Sequence, residues 1–369
     1  MAAHSSLALL SLKYAPYHPP GIFKLYFLSK KFIMPGFLGN FPPSSIPLKP
    51  ATFASSRHFS IGVSPPNSGI SSLLQAIGAI PNLIFMMFLI FHDRLKININ
   101  MNLLLVDGNE KDASDRYTSI GMDTQFEVYK KILKKNSKDN LNVTLIHPAV
   151  YDEYLPKGLS LDDFDSVAWT GSLLNIYNES KSITKQIDLA KELFKRNNKI
   201  FASCWGLQVL VTAAGGKVRK NPKGLEAILA KNIQLSEIGV KHPMYKNKNK
   251  IFDAFCWHYD EAEILPNNSQ VLASNSKSEF QSISFNVDNS SVWAVQYHPE
   301  FNPAWMSGLM KQRKDILLEN KIYENSSDFE KEKNIFENTS QLSKNEYNNY
   351  VDVIDETKHS LEISNWLKL

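Results

Sequence analysis

The chain has 369 residues, more than a typical single domain, and its 43% hydrophobic content is enough for a folded core. Its formal net charge is +4, but the first 92 residues hold six Lys and Arg and no Asp or Glu. From Asp93 onward, 35 basic residues face 37 acidic ones. Nucleic-acid binders concentrate positive charge on their folded part, so we expect a small-molecule substrate and no nucleic acid.

The chain contains two cysteines, Cys204 and Cys256. Two cysteines are too few for a disulfide framework, and their separation lacks the paired spacing of a zinc site. We therefore expect a reducing compartment, the cytoplasm, and neither a metal ion nor another cofactor. A single cysteine with a distant histidine and carboxylate is instead a candidate nucleophile.

Residues 1–100 form a leader that is rich in Ser, Pro and aromatic residues and has an apolar stretch at 70–91. That stretch is long enough to span a bilayer, although Pro81 and Asn82 near its centre weaken this interpretation. An organelle transit peptide is a second interpretation. The preferred one is that the functional protein begins at Met101, where the composition changes. A membrane anchor or an organelle location is expected only if the leader is genuine.

From Met101 onward, strand and helix patterns alternate, which favours a parallel sheet covered on both faces. Apolar runs predict the strands Leu103–Val106, Val143–Ile146, Phe164–Trp169, Lys199–Ser203, Ile251–Trp257, Gln270–Ala273 and Val292–Tyr297. Apolar residues at helical spacing predict two helices, one carrying Phe126, Tyr129, Ile132 and Leu133 and one carrying Ile183, Ile187, Ala190 and Phe194. Residues 313–369 are predicted to form a charged helical extension.

Cys204 lies between an apolar run, 200–203, and an apolar helical stretch that begins at Trp205. This order predicts a strand, a sharp turn and a helix, with the cysteine in a strained backbone conformation. Residues two before and two after it must be small, and Ala202 and Gly206 are. At a helix start, free backbone N–H groups favour the thiolate, so we expect a lowered pKa for the Cys204 thiol. Cys256 lacks these surroundings and is interpreted as a core residue.

A sulfur nucleophile that attacks an amide needs a histidine to protonate the leaving amine and a carboxylate to orient that histidine. The run Gln296-Tyr297-His298-Pro299-Glu300 supplies both groups after a predicted strand. Residues i and i+2 of an extended chain point to the same side, so the Glu300 carboxylate can accept from the His298 ring. Pro299 restricts His298 to an extended conformation.

These residues resemble the motifs of class I glutamine amidotransferases. The run 202–208, Ala-Ser-Cys-Trp-Gly-Leu-Gln, is similar to the family's G-x-C-x-G-x-Q motif, and residues 296–300 match Q-x-H-P-E. The segment Trp257-His258-Tyr259-Asp260 is similar to one in the GMP synthetase-like members. The resemblance covers residues 101–312. It implies an α/β, flavodoxin-like, doubly wound and mostly parallel sheet, and hydrolysis of glutamine through a γ-glutamyl thioester.

The resemblance also implies roles for individual residues. Cys204, His298 and Glu300 would be catalytic, backbone N–H groups of Gly171 and Trp205 would form the oxyanion hole, and Gln208 would bind the substrate. His258 is assigned to substrate binding as well, with a structural role as the open alternative. The chain departs from the family where Ala202 replaces a glycine and where Gly171-Ser172 replaces a Gly-Gly pair, so of that pair only Gly171 is carried over, beside Trp205 as the other donor.

The leading hypothesis is a glutaminase that supplies ammonia to a separate synthase subunit. The sequence has neither the S-G-G-x-D-S pyrophosphate loop of a fused GMP synthetase nor a P-loop. The first alternative is a γ-glutamyl peptide or γ-glutamyl amine hydrolase, because the same thioester chemistry acts on any γ-glutamyl amide. The second is a regulatory module without turnover, although such a module has no physical need to keep Cys204, His298 and Glu300.

Overall fold

A computed structural model of the chain describes residues 101–137 and 141–369. The leader, 1–100, and its apolar stretch, 70–91, lie outside these residues. Within the described part, no helix combines the length and the apolar character that a membrane span requires.

Eleven strands are present in the described residues. They are β1 Met101–Val106, β2 Leu141–Ile146, β3 Ser166–Trp169, β4 Lys199–Ser203, β5 Lys217–Lys220, β6 Glu226–Leu235, β7 Ile251–His258, β8 Asp260–Ile264, β9 Gln270–Ser274, β10 Ser282–Val287 and β11 Ser290–Val295. All seven predicted strands occur with small shifts at their ends. Strands β5, β6, β8 and β10 were not predicted.

Twelve α-helices accompany them in the same part of the chain. They are α1 Lys111–Thr118, α2 Gln125–Asn136, α3 Lys181–Phe194, α4 Trp205–Ala213, α5 Glu237–Lys241, α6 Pro303–Gln312, α7 Lys314–Glu319, α8 Ser326–Glu337, α9 Lys344–Asn349, α10 Val351–Ile354, α11 Glu356–His359 and α12 Leu361–Trp366. Side-chain caps define several starts. Thr124 and Glu127, for example, form a reciprocal capping box at the start of α2.

Nine strands form one sheet in the order β2-β1-β3-β4-β11-β10-β9-β6-β7. The first five are parallel to one another, and the other four extend the sheet through antiparallel pairings. Seven of the nine strands therefore run in the same direction. This arrangement confirms the predicted α/β fold, because the order of the first five strands is that of a flavodoxin-like sheet with β11 as its fifth strand.

Strand β1 shows how helices cover both faces of the sheet. Successive side chains of a strand point to opposite faces. Leu104 and Val106 pack in a buried cluster with residues of α3 and α4, whereas Leu103 and Leu105 pack in a second cluster with residues of α2 and α12. Because β3, β4 and β11 are parallel neighbours, their carboxyl ends meet at one edge of the sheet. Ligands bind at this edge in sheets of this kind.

The helices that follow residue 313 share their apolar contacts with the sheet. Phe336 of α8 packs edge-on against Phe255 of β7, with ring centroids 5.2 Å apart. Trp366 of α12 packs on Phe201 of β4, with centroids 5.6 Å apart. Strand β4 leads directly to Cys204, so the end of the chain supports the strand that carries the candidate nucleophile.

We predict that Trp366→Ala lowers the free energy of unfolding by about 3–5 kcal/mol, because it empties a buried site against β4. Urea denaturation followed by circular dichroism measures this loss. The matched control is Lys368→Ala, an exposed change on the same terminal segment, which should stay within about 0.5 kcal/mol. Equal stabilities for the two variants would contradict the packing described for α12.

Candidate active site

Cys204 occupies the sharp turn between β4 and α4, with φ 49° and ψ −103°. This left-handed backbone conformation is strained for a residue with a side chain. The packing around position 206 requires a glycine, because a Cβ there would lie 2.9 Å from Cβ of Trp169 and 3.0 Å from Cβ of Ala202. The predicted strand, turn and helix are confirmed, and the turn places the sulfur at the start of α4.

His298 reaches the same edge of the sheet because β11 is the parallel neighbour of β4. The backbone N–H of Cys204 donates to the carbonyl of Val295, the last residue of β11, at 2.8 Å. Three residues later, the backbone N–H of His298 donates to the carbonyl of Phe255 at 2.8 Å. The imidazole stacks on the Phe301 ring, with centroids 4.0 Å apart and planes 6° apart. These contacts hold both the backbone and the ring of His298.

The two carboxylate oxygens of Glu300 accept hydrogen bonds from different residues. Its Oε1 lies 2.6 Å from Nδ1 of His298, and its Oε2 accepts from the Ser203 hydroxyl at 3.0 Å. Ser203 immediately precedes Cys204, and its hydroxyl is also 3.1 Å from the Tyr129 hydroxyl. The carboxylate is 1% exposed. Nδ1 of His298 is therefore committed to Glu300, and within the described residues Nε2 has no protein partner.

The Cys204 thiol does not have the lowered pKa that its helix position predicted. Burial raises its pKa well above the ordinary value, and the nearby charge of Glu300 raises it further. The backbone N–H of Trp205 points at the sulfur and lowers the pKa, but this effect is smaller. The sulfur also lies 3.6 Å from the Trp257 carbonyl, which accepts from a protonated thiol. These surroundings favour the protonated thiol over the thiolate.

Gly171 lies directly against the imidazole. A Cβ at this position would be 2.6 Å from Cε1 of His298 and 2.9 Å from Oε1 of Gln125. Its carbonyl is held by the Thr170 hydroxyl at 2.9 Å and by the Asn109 amide at 3.2 Å. The structure thus places Gly171 beside His298 and the Trp205 N–H beside the sulfur, while the oxyanion roles of both remain predictions.

A cavity of about 470 Å³ opens above Cys204. Gln208 lines it beside the sulfur, and its amide donates to the backbone carbonyl of Asp260 at 3.3 Å. The Asp260 carboxylate, which also lines the cavity, accepts from Asn175 at 2.7 Å and from the Tyr177 hydroxyl at 3.0 Å. In the described part of the chain this carboxylate has no Lys or Arg partner. It is therefore a buried negative charge at the cavity wall.

His258 also lines the cavity, but the protein occupies both of its ring nitrogens. Nδ1 lies 3.0 Å from the Asp260 carbonyl and Nε2 lies 2.8 Å from Glu226. Burial opposes ionisation of Glu226, yet hydrogen bonds from His258, Asn275 and Gln281 lower its pKa overall. The substrate-binding role assigned to His258 remains a prediction, and the observed bonds leave only its ring carbons for a ligand.

Two arginines at the cavity were not predicted from the sequence. Arg116 comes from α1, and Arg313 follows α6. The guanidinium of Arg313 lies over the Trp257 ring, 4.8 Å from its centroid. Neither arginine pairs with a carboxylate of the described residues. Asp260 lies in the GMP synthetase-like segment 257–260 and could have been predicted as a site residue from the sequence. Arg116 could not, because only the fold brings α1 to this edge of the sheet.

Comparison with known sequences finds similar proteins. Residues 173–313 match the model of the glutamine amidotransferase class-I family. A γ-glutamyl-L-1-hydroxyisopropylamide hydrolase of a Pseudomonas species is 29% identical over 278 residues, which cover 72% of this chain and 92% of the relative. γ-Glutamyl peptidase 4 of Arabidopsis thaliana is 31% identical over 156 residues, 42% of this chain and 60% of the relative. This second alignment spans less than two thirds of the plant protein.

A GMP synthase of Campylobacter jejuni is 29% identical over 151 residues, 41% of this chain and 28% of the relative. Among solved structures, a glutamine amidotransferase of Thermotoga maritima superposes with a TM-score of 0.53 at 15% identity. That superposition covers 73% of this chain and 97% of the other, and it shows the fold alone. Residues 173–313 thus match the class I glutamine amidotransferase family in sequence, and the superposition agrees with the α/β fold described above.

Proposed function

We propose that this protein hydrolyses γ-glutamyl amides through a thioester on Cys204. The observation that carries the proposal is the pair of bonds made by Glu300, one to the His298 ring and one to the residue before Cys204. A nucleophile, a base and an orienting carboxylate are the parts that amide hydrolysis by a cysteine requires.

The proposed reaction begins with transfer of the thiol proton to Nε2 of His298 as sulfur attacks the γ-carbonyl carbon. The N–H groups of Trp205 and Gly171 would bind the oxyanion that forms. His298 then gives the proton to the leaving nitrogen, the C–N bond breaks, and a γ-glutamyl thioester remains. Water, deprotonated by His298, attacks the thioester and releases glutamate and the free thiol. Glu300 orients the ring throughout.

The cavity wall offers partners for the amino-acid end of the substrate. Asp260 lines the cavity together with Gln208, and its carboxylate matches an α-ammonium group, since its present partners are neutral. The Gln208 amide beside Cys204 would fix the adjacent carboxylate of the glutamyl group. Both assignments fit a site that recognises the γ-glutamyl part and accepts different amines.

The leaving amine is expected to be larger than ammonia. The cavity extends from Cys204 to Arg116, Arg313 and Ile316, and guanidinium groups bind carboxylates well. A γ-glutamyl peptide, whose leaving amine carries a carboxylate, fits this lining better than glutamine does. The two hydrolytic relatives act on γ-glutamyl compounds by their names, which supports the same choice.

Glutamine hydrolysis with ammonia passed to a separate synthase remains the second candidate. The similarity to a GMP synthase favours it. A cytoplasmic location is part of the proposal in either case, because Cys204 and Cys256 are both free thiols and a reducing compartment keeps them so.

Substrate preference distinguishes the two candidates. We expect kcat/KM for γ-glutamylglycine to exceed that for glutamine by about tenfold or more, equivalent to about 1.4 kcal/mol. γ-Glutamylethylamide, similar in size but uncharged, should fall between them. Arg313→Gln should remove most of the advantage of the charged dipeptide, whereas Lys311→Gln, on the exposed side of α6, should not. Glutamate release from each substrate measures this, and a native preference for glutamine would favour the glutaminase instead.

Cys204→Ala should abolish turnover and leave the fold intact, because it removes the nucleophile from a site already built around small neighbours. An electrophilic glutamine analogue should label Cys204 and spare Cys256, which is fully buried. Peptide mapping by mass spectrometry identifies the labelled residue. A label found mainly on Cys256 would remove the central assignment.

Glu300→Gln should reduce kcat by roughly 10- to 1000-fold, or about 1.4–4 kcal/mol, because it keeps the shape but deletes the charge that orients the imidazole. His298→Asn should be more severe, since it removes the proton carrier, and Cys204→Ala the most severe. Steady-state kinetics over a wide pH range measures this order. Full activity of Glu300→Gln at every pH would show that the carboxylate has no catalytic role.

A further inference from the structure

We propose that the last two helices, α11 and α12, position His298 by holding the residues on both sides of it. His359 of α11 bonds to Pro299, and Glu362 of α12 bonds to Tyr297. This inference rests on the proposed role of His298 as the base. It makes His359 and Glu362 positioning residues, since neither lines the cavity above Cys204.

The contact of His359 is a single, directed hydrogen bond. Its Nδ1 lies 3.0 Å from the Pro299 carbonyl oxygen. A carbonyl only accepts, so Nδ1 carries the proton and the ring is the donor. Nε2 is buried and has no partner in the described part of the chain. Burial lowers the pKa of His359 to about 4, so near neutral pH the ring acts as an uncharged donor rather than as a charge.

Pro299 is the residue between His298 and Glu300, so its peptide plane links the two ends of the 2.6 Å bond between their side chains. A donor fixed on the Pro299 carbonyl limits rotation of that plane. Rotation of this Pro299–Glu300 peptide would shift the Glu300 carboxylate and, through its bond to Nδ1, the imidazole of His298. Misplacements of about 1 Å at a reacting group reduce rates by about 100-fold, so a single bond at this carbonyl can affect turnover.

Glu362 holds the residue on the other side of His298. Its Oε1 accepts from the Tyr297 hydroxyl at 2.7 Å, and the same hydroxyl is 2.8 Å from that of Tyr245. Lys248 pairs with Glu362 at 3.0 Å, and both side chains are buried. The fully enclosed carboxylate is thus neutralised by Lys248 and directed at Tyr297. Because removing one partner of a buried ion pair also destabilises the fold, His359 is the better residue to test.

The test compares three variants of the full chain. His359→Asn keeps an N–H donor close to the position of Nδ1, whereas His359→Gln moves the donor one bond further along the side chain. His359→Leu keeps the volume and removes the donor. We expect Leu and Gln to lower kcat for γ-glutamylglycine by about 10- to 100-fold with little change in KM, and Asn to stay within about threefold of the native enzyme. Thermal melting shows that each variant is folded at the assay temperature.

A second measurement separates this inference from the proposed function. Alkylation of Cys204 by iodoacetamide needs no substrate, yet it depends on a base that accepts the thiol proton. Its rate near neutral pH should fall in the Leu and Gln variants and be retained in Asn. Equal kinetics and equal alkylation in the folded Gln and Asn variants would overturn the positioning role, even if the Leu variant failed to fold. If the native enzyme released no glutamate, the proposed function would fail while alkylation still tested His359.

Discussion

The buried Glu300 carboxylate is the group on which the site depends most. Its two oxygens bond to His298 on one side and to Ser203, beside Cys204, on the other. Strands β4 and β11 are parallel neighbours, and this pairing brings the two segments close enough for one carboxylate to reach both. The same charge raises the pKa of the Cys204 thiol. The arrangement therefore favours a neutral thiol, which in the proposed mechanism gives its proton to His298.

The sequence was sufficient to predict features that depend on neighbouring residues. The alternating apolar runs predicted the parallel half of the sheet, because the period of apolar residues along the chain indicates strands and helices. The small residues around Cys204 predicted its turn, because that turn depends on steric contacts between near neighbours in the sequence. The pKa prediction was wrong for the opposite reason. A helix start is visible in the sequence, but the extent of burial around a thiol depends on the tertiary fold, and burial has the larger effect here.

Residues brought to the site by distant elements had no signal in the sequence. Arg116 belongs to α1, Glu226 to β6 and His359 to α11, and each meets the site only after the sheet has formed. His258 illustrates the consequence: its motif indicated a substrate contact, but Glu226, 32 positions away, occupies Nε2. The sequence likewise predicted the terminal helices only as a charged extension. In the structure Trp366 packs against Phe201 of the sheet, and the buried Glu362 bonds to Tyr297.

The central claim is that Cys204 carries the γ-glutamyl group during turnover. Rapid acid quenching of the enzyme with a γ-glutamyl substrate, followed by mass spectrometry of its peptides, tests this directly. The account predicts that the peptide containing Cys204 gains the mass of one γ-glutamyl group during the first turnover and loses it as glutamate appears. Glutamate release without any such adduct, or an adduct on another residue, would contradict it.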